Sequence, residues 1–132
     1  MLAHFLRNPR FVYRFDGVAS LGLGVALMLL APMLTQMAGW TLPSSFLFGV
    51  GAFLLPWAAF NFWVGRKQPD MGAALVHVLV DAAWVIGSVL LGVLHAKDLT
   101  APGFALIAGQ ALAVASVLAL KAAGLGAIRA AA

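Results

Sequence analysis

The chain has 132 residues, 64% of them apolar and only 9% charged, with a mean hydropathy of +1.03, which excludes an ordinary soluble domain and predicts a membrane protein. It has no cysteine, so disulfides, thiolate metal sites and cysteine nucleophiles are excluded. The pI near 10.4 does not point to nucleic acid, because the basic residues flank apolar runs instead of forming a patch on a polar surface.

In chain order, the leader 4-HFLRNPRFVYRFDG-17 interleaves Phe5, Phe11, Tyr13 and Phe15 with Arg7, Arg10 and Arg14. That mixture predicts a segment over residues 1–16 lying in the headgroup layer, with Arg7, Arg10, Arg14, Phe11 and Tyr13 touching lipid. Pro9 should interrupt any continuous amphipathic helix there, and the competing reading is a disordered basic leader that only sets topology. The apolar run after it, 17–38, exceeds the roughly 7–15 residues of a signal-peptide core, so it reads as a retained first span.

No Asp, Glu, Lys or Arg occurs from Gly17 through Gly65. A single helix of that length would be roughly 70 Å long at about 1.5 Å per residue, so the run must fold back. The break is 39-GWTLPSS-45, where Gly39 can end one helix, Trp40 suits an interfacial belt, and Pro43 with its serines can open the next helix. A second span follows near 44–65. Pro32 and Pro56 fall inside these two spans and should kink them or loosen a backbone bond.

The charged turn 66-RKQPD-70 precedes a third span near 72–94. At 95-HAKDLTAPG-103, Thr100 is a candidate N-cap and Pro102 fits the first turn of a fourth span near 101–121. Residues 122–132 read as a cytoplasmic tail. Arg7, Arg10, Arg14, Arg66, Lys67, Lys121 and Arg129 fall on one side and only Lys97 on the other. This positive-inside bias predicts that both termini are cytoplasmic. The fold class is therefore all-α: a transmembrane four-helix bundle, N-in and C-in, behind a short interfacial segment.

Lipid provides no hydrophobic drive between helices, so small residues should seat one helix on another. Gly24, Gly49, Gly87, Gly109 and Ala115 are the candidates for helix packing, four of them within small-xxx-small pairs and Ala115 in an alanine stripe; composition alone generates such pairs readily. A weak echo, 16-DGVASLG-22 against 81-DAAWVIG-87, hints at a parallel repeat of helix pairs.

The polar residues inside the spans carry the functional question. An aspartate at a helix centre costs about 2.5–3.5 kcal/mol on insertion scales, so Asp81 must face protein or water. His77 lies one turn before it on the same face, continued by Trp84 and Ser88. Depth counting brings Gln110 to the level of Asp81, and Asn61 and Ser116 to that of His77. One reading is an interhelical lock in which Gln110 donates to Asp81, and Asn61 or Ser116 satisfies His77. The other is a proton- or cation-responsive site, against which stands the lack of a second ionisable group near the midplane.

Residues 81-DAAWVIGSVLLGVL-94 and 99-LTAPGFALIAGQALAVASVLAL-120 resemble a group of small, functionally uncharacterised bacterial four-helix membrane proteins, in which a polar residue before the Trp of the third helix goes with a Gln in the fourth. The resemblance implies a bacterial inner membrane and no activity. Ala73, His77 and Trp84 also resemble light-harvesting helices, which makes axial ligation of haem or a pigment by His77 a remote alternative. No phosphate loop, HExxH or nucleophile elbow occurs, so no enzyme, metal or cofactor is expected; His77 with Asp81 as an acid–base pair is a minor alternative. The expected role is a non-enzymatic accessory or scaffold subunit, contacting membrane lipids and forming a homo-oligomer or joining a larger membrane complex. The alternative is a small oligomeric proton- or cation-coupled transporter or channel using Asp81 and His77.

Overall fold

Pro9 begins the first helix instead of interrupting it. The computed structural model describes residues 8–66 and 69–131. Asn8 holds an extended backbone and its side chain accepts from the Arg10 N–H at 3.2 Å. Pro9 takes the first helical position, where its missing N–H costs nothing. Helix α1, Pro9–Ala38, thus absorbs the described part of the expected interfacial leader. The leader's first seven residues, Arg7 among them, lie outside the described residues.

Helices α2 (Ser44–Arg66), α3 (Met71–Leu94) and α4 (Ala101–Ala131) follow. All four helices are long and apolar enough to cross a membrane, and they define a multi-pass membrane protein. α1 and α2 continue through Pro32 and Pro56 without interruption. α4 runs on to Ala131 through the residues expected as a tail, with Gly124 and Ile128 buried. Apolar side chains point outward along the helices, as with Leu29 at 75%, Leu79 at 68% and Leu112 at 69% exposure. Hydrocarbon is the solvent such a surface fits.

Gly39, Asp70 and Thr100 set three of the helix ends. Gly39 ends α1 with φ 74°, in the left-handed region where a side chain is strained. An added Cβ there would also lie 2.9 Å from the Asp98 carbonyl oxygen. Asp70 caps α3 by accepting from the Ala73 N–H at 2.9 Å. Thr100 caps α4, accepting from the Gly103 N–H at 3.1 Å, and its hydroxyl donates to the Met37 carbonyl at 2.6 Å. With the Thr100 N–H on the Ala38 carbonyl at 3.0 Å, that one residue joins the end of α1 to the start of α4.

Close backbone packing occurs between α1 and α2, α3 and α4, and α1 and α4. The α1–α2 contact is glycine on glycine: a Cβ at Gly51 would sit 2.6 Å from the Gly24 carbonyl oxygen, and one at Gly24 would sit 2.9 Å from that of Gly51. Gly24 is therefore a packing residue as expected, and its partner is Gly51. At Gly49, Gly87 and Gly109 a Cβ would meet nothing within 4 Å, so these three do not seat one helix of this chain on another. They stand on outward or cavity-facing surfaces; Ala115 is half-buried. α2 and α3 meet through rings, with Phe53 on Trp84 at 6.3 Å and Trp57 on His77 at 4.4 Å.

Pairs along the contacts run in opposite chain directions. Gly17 abuts Phe62 while Gly24 abuts Gly51, and Gly103 abuts Ala38 while Gly124 abuts Pro9. The start of α1 and the end of α4 therefore share one end of the molecule, and the 39–43 and 95–100 loops share the other.

Candidate functional site

At the terminal end, three helices deliver charge into one buried place. Lys121 of α4 is 1% exposed. Its ammonium donates to Asp16 Oδ2 of α1 at 2.7 Å and to Asp81 Oδ2 of α3 at 2.9 Å, and lies 3.0 Å from His77 Nδ1. An ammonium has three donors, and these three contacts use them all. The Nδ1 lone pair accepts from Lys121, so His77 is the neutral Nε2–H tautomer. Asp16 also accepts from Ser20 Oγ at 3.3 Å.

Aromatic rings enclose the quartet. The His77 ring lies 4.4 Å from both Trp57 and Phe60 and meets Tyr13 edge-on at 4.9 Å. The Lys121 ammonium stands 5.1 Å from the Tyr13 ring centroid and 5.5 Å from that of Trp57, positions at which ring faces attract a cation. Asn61 is fully buried and donates to the Trp57 carbonyl at 3.1 Å. Among the described residues, His77 Nε2, Tyr13 Oη and Asn61 Oδ1 are buried without a hydrogen-bond partner.

Asp16, His77 and Asp81 each offer a ligand atom within 4.8 Å of the others, a spacing that suits a cation. The cation there is the chain's own lysine. At about 1.5 Å per residue from the loop end, Asp81 lies roughly 20 Å along α3, Lys121 about 30 Å along α4 and Asp16 about 33 Å along α1. The quartet thus lies toward the terminal end of the helices. The Lys121 side chain turns inward, where two carboxylates face it.

Several sequence expectations change. Gln110 does not reach Asp81: it donates to Ser88 Oγ at 2.8 Å and to the Ile107 carbonyl at 3.0 Å, and accepts from Trp84 Nε1 at 2.7 Å. Ser88 lies seven residues beyond Asp81, roughly 10 Å farther along α3. The antiparallel register of α3 and α4 sets Gln110 at that level and leaves Asp81 for Lys121. Ser116 is exposed and donates only to its own helix, at the Leu112 carbonyl. Asn61 does share the aromatic layer around His77, through Trp57.

Tyr13 is wholly buried, and is not a lipid contact. Arg14 Nε donates to the Gly65 carbonyl at 3.0 Å and Arg10 Nη2 to the Arg66 carbonyl at 2.8 Å. These arginines satisfy the open C-terminal carbonyls of α2, a role beyond the lipid contact expected of them. Phe11 is 44% exposed, as a lipid-facing ring would be. Trp40, expected in an interfacial belt, packs against Phe46 and His95 at the loop end and is largely buried. Trp57, Phe60 and Tyr13 close around the His77 ring, where a macrocycle bound to it would lie.

Sequence reasoning missed Asp16 and Lys121, reading one as a boundary residue and the other as a topology charge. A signal was present: the echo segments put Asp16 and Asp81 on helices running the same way, and both now bind one ammonium. Lys121 also stands alone between Leu99–Leu120 and seven further uncharged residues, unlike the clustered arginines.

Fold and site together define a four-helix membrane protein with an ion quartet held between its helices. The chain matches no protein-family model, no curated protein and no solved structure.

Proposed function

We propose that the chain is a non-enzymatic, four-helix bundle protein of the bacterial inner membrane, with both termini cytoplasmic, that works as a small proton-coupled transporter. The observation that carries this reading is the sharing of the Lys121 ammonium by Asp16, Asp81 and His77. With both carboxylates ionised, the ammonium charged and the imidazole neutral, the quartet bears one negative charge in excess. One added proton makes it neutral. Since the Nδ1 lone pair is already engaged, that proton falls to a carboxylate. The carboxylate that takes it gives up its ion pair, and the ammonium stays with the other.

Proton occupancy therefore selects whether α4 is tied to α1 through Asp16 or to α3 through Asp81. A ligand that favours one of two helix arrangements shifts their populations, and here the ligand is a proton. Four ionisable groups stand together here, toward the terminal end of the helices and not at the midplane where depth counting places Asp81. Orientation rests on Arg7, Arg10, Arg14, Arg66, Lys67 and Arg129 against Lys97; Lys121, paired internally, leaves that count.

Proteoliposomes containing a pH-sensitive dye test the proposal. An imposed potential should drive proton movement in the wild type, and Asp16→Asn or Asp81→Asn, which each neutralise the quartet without a proton, should abolish it while the protein stays folded. Wild-type flux no faster than that of empty liposomes would falsify the transporter reading. A second reading, an accessory or scaffold subunit of a larger complex or homo-oligomer, is favoured by the saturation of all three ammonium donors. In that case the quartet is a lock, and the two variants change assembly without any flux to lose.

A further inference from the structure

The loop end holds a partly open cavity of about 510 Å³, within the range of roughly 300–1,000 Å³ typical of small-ligand sites. Leu27 and Leu34 of α1, Leu47 of α2, Leu91 of α3 and Ile107 of α4 contribute to a lining that is almost entirely carbon. The polar groups at its inner end are closed on one another: Gln110, Ser88 and Trp84 are already hydrogen-bonded together. At its outer end stands Trp40, 9% exposed, whose Nε1–H has no hydrogen-bond partner. A buried donor without an acceptor is costly; the Nε1 atom is itself covered, and a turn of the Trp40 side chain toward the cavity would bring it to a ligand oxygen.

We infer that this cavity is a binding site for one lipid acyl chain, with the ester or carboxyl oxygen at Trp40 and the chain running inward to the Trp84–Gln110 layer. Length supports the assignment. Gln110 lies nine residues past Ala101, about 14 Å into the membrane, and one leaflet of hydrocarbon is about 15 Å deep. Chemistry supports it too: the lining is aliphatic and aromatic carbon, and the one residue of its outer wall with an unpaired donor is Trp40, whose side chain would turn to meet the lipid's oxygen. The site is separate from the quartet and does not depend on the proton reading.

The test is lipid retention by the full chain purified in mild detergent, read by native mass spectrometry and lipid extraction. The wild type should hold one acyl lipid per chain. Leu34→Trp and Leu47→Trp, which fill the cavity from two different helices, should each lose it while keeping wild-type helical content. Trp40→Phe, which removes the donor and keeps the ring, should lower retention several-fold. As a second readout, acyl chains brominated near their ends should quench tryptophan fluorescence in the wild type and much less in a folded Trp84→Phe variant, which removes the ring at the inner end of the cavity. Equal retention in the wild type and both cavity-filled variants, or retention of an isoprenoid quinone in place of acyl lipid, overturns the assignment.

Discussion

The two ends of this molecule solve the same problem in opposite ways. At the terminal end, α1, α3 and α4 are joined by an ammonium, two carboxylates and an imidazole in an aromatic surround. At the loop end the same helices part around a cavity lined with carbon, and are joined by backbone caps such as Thr100 on Met37 and Ala38. Association in lipid draws on packing and interhelical polar bonds, and here the two are spatially divided. Where charge does the joining, loss of one partner is severe. Where packing and caps do it, space is left over.

The largest expected effect comes from breaking the charged end. Lys121→Met leaves two carboxylates facing each other in a buried site, and removing one partner of a buried pair costs about 3–5 kcal/mol. Denaturant titration of helicity in detergent should register that loss. Adding Asp16→Asn and Asp81→Asn to Lys121→Met should recover much of it, because an uncharged set has no uncompensated ion. A Lys121→Met protein as stable as the wild type would remove the quartet from the account of this end.

Next in size is the α1–α2 contact, which involves no charge. Gly51→Leu drives a side chain into the Gly24 carbonyl 2.6 Å away and into Met28. Overpacking of this kind costs about 1–3 kcal/mol, measurable by the same titration. An effect matching that of Lys121→Met would blur the contrast between the two ends. Smaller still is Gln110→Leu, which strips Trp84 Nε1 of its acceptor at the boundary between the halves. Interhelical bonds in membranes average about 0.6 kcal/mol, with a maximum of about 1.7, so a loss in that range is expected.

The sequence made the element count, the loops and the caps at Gly39 and Thr100 legible, because hydropathy and helix punctuation are local properties. It also singled out His77 and Asp81, since an acid within an apolar run stands out by itself. The pairings were not legible. Gln110 and Asp81 lie at similar counted depths, and only the register of α3 against α4 separates them by two helical turns. Lys121 was misread because its place on the chain, near the terminal end of a span, is the same for a topology charge and for a buried counter-ion. Which of the two it is depends on the direction of a flexible side chain, set by carboxylates 105 and 40 residues away. The cavity was invisible for a related reason, as its apolar lining reads in sequence like any lipid-facing surface.

The smallest effect on the fold is expected at the small residues that pack against nothing. Gly49 and Gly109 would each accept a Cβ with no atom within 4 Å, and both are exposed. Substitutions at such positions usually change stability by less than about 0.5 kcal/mol, and Gly49→Leu and Gly109→Leu should behave so in a single chain. Their size should matter only if another helix approaches these faces, since small residues are what allow backbones to come close in lipid. Analytical ultracentrifugation in detergent separates the cases. A drop in assembled mass with unchanged single-chain stability would assign these surfaces to a homo-oligomer or a partner subunit. An unchanged mass would leave them to lipid.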